Sequence, residues 1–176
     1  MSVAQIYWEV IPNQLIITTT EKVGYTSIAK AVKRSPRIPE AEIPSHPARV
    51  RLYLRHPIER LRSAWSFFTD SNYFPDPDGD PTGARMPAMP FERFIDQVLD
   101  EGYSNVHWAP QLAQHKHYDE IYRFENIDDT WPHGHAYREL GHWNKSKTPK
   151  PAITYRHLDL VDYYLEDLDA WLTNTK

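Results

Sequence analysis

The sequence predicts a single α/β domain over residues 1–176, with a central, mainly parallel sheet flanked by helices. Two observations carry this expectation. Short β-rich runs alternate with segments whose apolar residues recur at helical spacing, and a strand, a crossover helix and a second strand imply parallel neighbours. With 176 residues, 40% of them hydrophobic, the chain can bury one core and has little room for a second.

Taken in order, Ile6 to Ile11 and Leu15 to Thr20 are β-rich runs separated by Pro12-Asn13-Gln14. That spacing fits either a hairpin or two separate strands. From Thr26 the period changes: Ile28, Ala31 and Val32 share one helical face, and Lys30, Lys33 and Arg34 gather at the negative pole before Pro36 stops the helix. Val50 to Leu54 reads as the next strand, ended by Arg55-His56-Pro57. Leu61, Trp65 and Phe68 then mark an amphipathic helix from Ile58 to Asp70. Phe91, Phe94, Ile95, Val98 and Leu99 make a third helix after Pro90, and Ile121 to Phe124 a short strand. Leu158, Val161, Leu165, Leu168 and Leu172 lie on one stripe, which predicts a last helix with this stripe in the core. The prolines at 75, 77, 81, 87 and 90, with Asp76, Asp78, Gly79 and Asp80, read as a long surface loop.

Composition excludes several functions. The formal net charge of −4 gives no general attraction for nucleic acid, so any bound anion needs a local arrangement of donors. The mean hydropathy of −0.67 and the lack of an apolar run near 18 residues exclude a transmembrane helix. Met1 to Gln5 has neither the basic nor the apolar region of a signal peptide. Without cysteine there is no disulfide or thiolate metal site. These features point to a cytoplasmic protein with neither membrane nor nucleic acid as partner.

Two segments carry chemistry. In Thr19-Thr20-Glu21-Lys22-Val23-Gly24-Tyr25-Thr26-Ser27 a strand meets a helix start, where unpaired N–H groups suit a phosphate. Gly24 allows positive φ or close approach, Thr26 and Ser27 offer hydroxyls, and Lys22 adds a mobile charge. The same residues also suit an ordinary capped helix with Lys22 in solvent. They do not form a Walker A loop, since GxxxxGK[ST] is absent. In the second segment, Arg55 to Ser63, Arg55 sits where a strand leaves the sheet, on the edge where open α/β folds bind ligands. Ser63 falls about 200° around the helix from Leu61, away from the core stripe. An arginine fork and a hydroxyl converging on one phosphate make chemical sense. The alternative is that Arg60, Arg62 and Ser63 are surface residues.

Together the segments resemble the two donor-binding signatures of the sulfotransferase superfamily, in particular the carbohydrate (Golgi-type) branch and its small bacterial and phage relatives. Lys22, Gly24, Thr26 and Ser27 match Lys-x-Gly-x-Thr-Ser, and Arg55, Pro57, Arg60 and Ser63 match Arg-x-Pro-x-x-Arg-x-x-Ser. His107-Trp108-Ala109-Pro110-Gln111, Asn144-Lys145-Ser146 and the Tyr163-Tyr164-x-x-Asp167 helix resemble later elements of the family. One departure is Glu21, where many members carry proline.

The resemblance implies a P-loop-like phosphosulfate site and a donor, 3′-phosphoadenosine 5′-phosphosulfate, with a small-molecule or glycan acceptor and no metal. Lys22, Val23, Gly24, Tyr25, Thr26 and Ser27 would hold the 5′-phosphosulfate, and Arg55 and Ser63 the 3′-phosphate. Lys22 would also meet charge on the leaving oxygen. A histidine base suits neutral pH, and His46, before the Val50 strand, and His107 are the candidates, with Glu21 and Glu125 in reserve. His115, His117, His133 and His135 read as exposed loop histidines rather than metal ligands. Trp108, Trp131, Trp143 and Tyr103 suit either an acceptor-stacking surface or the core. The rival readings are a P-loop-like nucleotide kinase, a non-catalytic nucleotide-binding module and a structural interaction protein.

Overall fold

The computed structural model describes residues 5–69, 87–132, 151–152 and 155–174. The Asp76 to Pro81 loop, Asn144 to Ser146, Trp143, His133 and His135 lie outside them. Five strands form one sheet: β1 (Tyr7–Ile11), β2 (Leu15–Thr19), β3 (Arg37–Ile38), β4 (Arg49–Leu54) and β5 (Glu120–Arg123). The helices are α1 (Tyr25–Ala31), α2 (Pro57–Thr69), α3 (Phe91–Glu101), α4 (Ile127–Thr130) and α5 (Leu165–Thr173).

The sheet runs β3-β1-β2-β4-β5 and is mixed rather than mainly parallel. β2 pairs parallel with β4, and β4 with β5, whereas β1 runs antiparallel to both β2 and β3. The reason is the three-residue connection between β1 and β2, too short for a crossover, which makes a hairpin. Asn13 takes the left-handed conformation there at φ 56°, and the Gln14 N–H donates to the Ile11 carbonyl at 3.0 Å. The edge strand β3 is two residues long and follows Pro36, whose carbonyl accepts from the Glu9 N–H. A proline-rich stretch gives little strand signal at that length.

Helices and irregular segments cover the sheet. Trp8, Ile17, Val23, Ile28, Tyr53 and Trp131 share one buried cluster; Tyr7, Ile16, Ile43 and Val50 share another. A third joins α2, α3 and the C-terminal segment through Leu61, Phe68, Phe94, Trp108, Leu160 and Tyr164. Trp108 and Trp131 are therefore core residues, while Tyr103 is exposed.

The last helix departs from expectation. A 3-10 segment, Tyr155–Leu160, and a turn precede α5, so the chain is not one helix from Leu158 to Leu172. Leu158, Val161, Leu165 and Leu172 are exposed, and the buried positions are Leu160, Tyr164 and Asp167. That set has the same helical period in a different phase, because polar groups make the inward contacts. Tyr164 donates its hydroxyl to the Trp108 carbonyl at 2.6 Å, and the Asp167 carboxylate accepts the backbone N–H groups of Gln111 and Leu112.

Arg60 is fully buried, which removes the alternative that it is a surface arginine. Its guanidinium donates to the carbonyls of Glu21 (2.9 Å), Ala109 (2.8 Å) and Val106 (2.7 Å). Arg60→Met keeps most of the apolar stem but strands those acceptors. It should lower stability by about 3 kcal/mol, read from urea unfolding.

His115 is also buried, where an exposed loop histidine was expected. Its Nδ1 lies 3.5 Å from Thr18 Oγ1, whose own proton goes to the Ile6 carbonyl. Burial, and then the nearby Arg60 cation, pull its pKa down to about 3. The unfolded chain therefore takes up this proton first. The contribution of His115 to stability is complete above pH 6.5 and is lost as the pH falls toward 3. Replacing it in His115→Gln should flatten that fall by up to about 1.4 kcal/mol per pH unit, measured by urea unfolding between pH 7 and 4.5.

Candidate functional site

The register pairs Thr19 with Tyr53, so β2 and β4 end at the same edge of the sheet. The Lys22 loop leaves from one strand and Arg55 from the other. Arg55 donates Nη1 to the Lys22 carbonyl at 3.0 Å, which joins the two segments directly.

The loop's backbone is tied down carbonyl by carbonyl. The Thr20 carbonyl accepts from the Val23 N–H, and that of Glu21 from Arg60. The Lys22 carbonyl accepts from Arg55, and the Val23 carbonyl from the Thr19 hydroxyl at 3.3 Å. Every described peptide is trans, so each C=O and the following N–H point in opposite directions. The amides of Lys22 and Gly24 therefore point away from the Arg60 guanidinium and the Thr19 hydroxyl that hold the preceding carbonyls. Lys22 and Gly24 both have positive φ, 64° and 62°. Residues of alternating hand can make successive amides converge into a concavity of the kind that suits an anion. Glycine bears this conformation without strain, but for Lys22 it costs energy that the surrounding donors offset.

The Lys22 side chain is held as well. Its Nζ stands 3.0 Å from the centroid of the Phe67 ring and 5.3 Å from that of Phe68. A cation over an aromatic face gains roughly 0.5–2 kcal/mol, depending on desolvation. Ser63 lies on α2 between Arg60, which reaches the loop, and Phe67, which carries the ammonium. Residues three and four apart share a helix face, so Ser63 belongs to the face turned toward the loop. It is half-buried, as are Arg55, Lys22, Gly24, Tyr25 and Thr26, while Val23 and Ser27 are buried. Thr20 Oγ1 is buried at the base of the loop with no hydrogen-bond partner among the described residues.

The two histidine candidates separate. The His107 ring packs edge-on against Phe68, with centroids 4.9 Å apart, and so shares an aromatic neighbour with Lys22. His46 precedes β4 at the opposite end of the strand. Its Nε2 is 3.5 Å from Glu9, and its Nδ1 accepts from the Ala48 N–H. At about 3.3 Å per residue, the length of β4 puts His46 more than about 15 Å from the strand's carboxyl end. The structure does not bring it to the loop. Of the reserve candidates, Glu21 is in the loop, and Glu125 accepts the His56 N–H and the Trp171 indole N–H.

Two residues that build this frame, Arg60 and Phe67, have roles in it that the sequence reading does not assign. Arg60 had a signal: it falls on the same helical face as Pro57, Leu61, Ala64 and Phe68, where a lone arginine must satisfy buried acceptors. Phe67 had none, because its role depends on where the loop lysine lands. Among the described residues no group of three or more acidic or histidine side chains is placed to hold a metal, and no helix is long and apolar enough to cross a membrane. No family model, curated protein or solved structure gives a significant match to this chain.

Proposed function

We propose that the chain is a sulfotransferase, moving the sulfuryl group of 3′-phosphoadenosine 5′-phosphosulfate to an acceptor hydroxyl or amine, in keeping with a cysteine-free chain of the cytoplasm. The observation that carries this reading is the direct junction of the two segments, Arg55 Nη1 on the Lys22 carbonyl, at one sheet edge. A loop with two positive-φ residues, an ammonium seated over Phe67, an arginine fork and the half-buried Ser63 suits a donor with phosphates at both ends.

The acceptor oxygen or nitrogen attacks sulfur, the bond from sulfur to the phosphate oxygen breaks in line, and the bisphosphate leaves. As in phosphoryl transfer, catalysis is mostly positioning and stabilisation of charge on the leaving oxygen. Lys22 supplies the cation for that oxygen. The amides of the Gly24 loop, with Thr26 and Ser27, hold the 5′-phosphate, and Arg55 and Ser63 the 3′-phosphate. His107, whose buried ring shares Phe68 with Lys22, is the candidate base for the acceptor proton.

Calorimetry separates this reading from a kinase or another nucleotide-binding module: 3′-phosphoadenosine 5′-phosphate should bind without Mg²⁺ and more tightly than ADP or ATP. Preference for ATP with Mg²⁺ would sink it. Arg55→Ala should weaken bisphosphate binding by about 2 kcal/mol, or roughly 30-fold. Arg62→Ala should change it little, because Arg62 is engaged by the Pro151 carbonyl and Glu59. Equal losses would move the 3′-phosphate elsewhere.

Lys22→Gly tests the mechanism, since glycine accepts the backbone conformation at that position. The variant should fold normally and bind the bisphosphate within about tenfold of wild type, yet lose roughly 100-fold or more in single-turnover rate with an acceptor found by screening. A fall in rate no larger than the fall in affinity would reduce Lys22 to a phosphate anchor.

A further inference from the structure

β4 pairs with β5 as far as Leu54, opposite Arg123, and the next peptide belongs to Arg55. There the side chain of Gln111 takes over the pairing. The Arg55 N–H donates to Gln111 Oε1 at 3.0 Å, and Gln111 Nε2 donates to the Arg55 carbonyl at 2.8 Å. A primary amide carries its donor and acceptor side by side, so it can serve as a one-rung strand. Gln111 is completely buried, and its contacts decide which way its amide faces. Asp167, on α5 and equally buried, accepts the Gln111 backbone N–H at 2.6 Å and that of Leu112 at 2.9 Å. The same carboxylate lies 3.3 Å from Gln111 Nε2. Flipping the amide would put Oε1 against that carboxylate and two carbonyl oxygens against each other.

We propose that Gln111, with its amide oriented by Asp167, is a positioning residue that sets the Arg55 peptide and so aims the Arg55 guanidinium at the anion. This rests on the sulfotransferase reading for the identity of the anion. The chain of contacts runs from α5 through Gln111 to the end of β4. Its far end is Arg55 Nη1 on the Lys22 carbonyl, so the same device also steadies the loop.

Gln111→Glu is the test. When ionised, the introduced carboxylate can accept from the Arg55 N–H but opposes both the Arg55 carbonyl and Asp167. When protonated, it regains one donor and restores the two-point contact. Burial and Asp167 raise its pKa, which the Arg60 cation and the Arg55 guanidinium counter; Tyr163 and Tyr164, the other ionisable groups near Asp167, stay neutral in this range.

Affinity for 3′-phosphoadenosine 5′-phosphate is measured on folded protein at pH 8 and pH 5.5, with wild type at each pH as reference. The variant should bind at least tenfold more weakly than wild type at pH 8 and within threefold of it at pH 5.5. An equal deficit at both pH values shows general loss of packing and overturns the proposal, as does no deficit at either. A ligand-free readout keeps the two readings apart: amide hydrogen exchange in wild type should show the Arg55 N–H protected, and Gln111→Glu at pH 8 should lose protection there while Leu52 keeps it. Rapid exchange of Arg55 in wild type overturns the positioning role. If wild type has a protected Arg55 but binds no bisphosphate, the sulfotransferase reading fails, and the role in aiming Arg55 at this anion falls with it.

Discussion

The structure around the loop depends on one constraint: four consecutive carbonyls, Thr20 to Val23, must find donors inside the protein. A polypeptide that turns sharply at a sheet edge would ordinarily leave those oxygens to water. Here a backbone amide, two arginines and a threonine hydroxyl take them up. Arg60 matters most, because its guanidinium also binds the Val106 and Ala109 carbonyls and so joins the loop to the segment before β5. A buried cation is costly to desolvate and is tolerated only when its donors are filled. The geometry of the loop follows from satisfying this cation and those carbonyls together.

The C-terminal segment answers the same need from the other side. Tyr163 and Tyr164 donate to the carbonyls of Gly102 and Trp108, and Asp167 accepts from Gln111 and Leu112. All four partners lie between Gly102 and Leu112, the stretch whose carbonyls Arg60 also uses. This irregular stretch between α3 and β5 thus has its backbone groups satisfied by α2 on one side and by the C-terminal segment on the other. Buried irregular backbone is stable only on those terms.

The strands β2 and β4 and the helices α1 and α2 were legible in the sequence, because alternation and 3.6-residue periodicity both report burial against a sheet. The juxtaposition of Lys22 and Arg55 was legible too, since adjacent parallel strands must end at one edge. Three features were not. The direction of β1 depended on a three-residue turn that two topologies could share. The stripe of leucines in the last helix misled because hydrophobicity weighs Leu above Tyr and Asp, whereas the inward face here is held by a hydrogen bond that Tyr164 donates and by those that Asp167 accepts. His115 looked like a loop histidine beside Lys116 and His117, and only the fold shows that it lies near Arg60. Local pattern reports how apolar a position is; it does not report which polar side chain has found a buried partner.

The contacts that shape the loop span long stretches of chain. Arg60 meets Glu21 across 39 residues and Ala109 across 49, while Gln111 meets both Arg55 and Asp167 across 56. During synthesis, a chain that has emerged only through β5 contains every residue of the Lys22 loop and both arginines. It still lacks the carboxylate that orients Gln111 and the tyrosines that anchor Gly102 and Trp108. Non-local closures of this kind come late, because their chain entropy must be spent before any contact is gained. The strands and α2 can collapse early, but the arginine at the end of β4 acquires its final direction only when the last helix docks. The turn at the end of β4 is therefore among the later parts of the described fold to be fixed, although its own residues lie early in the sequence.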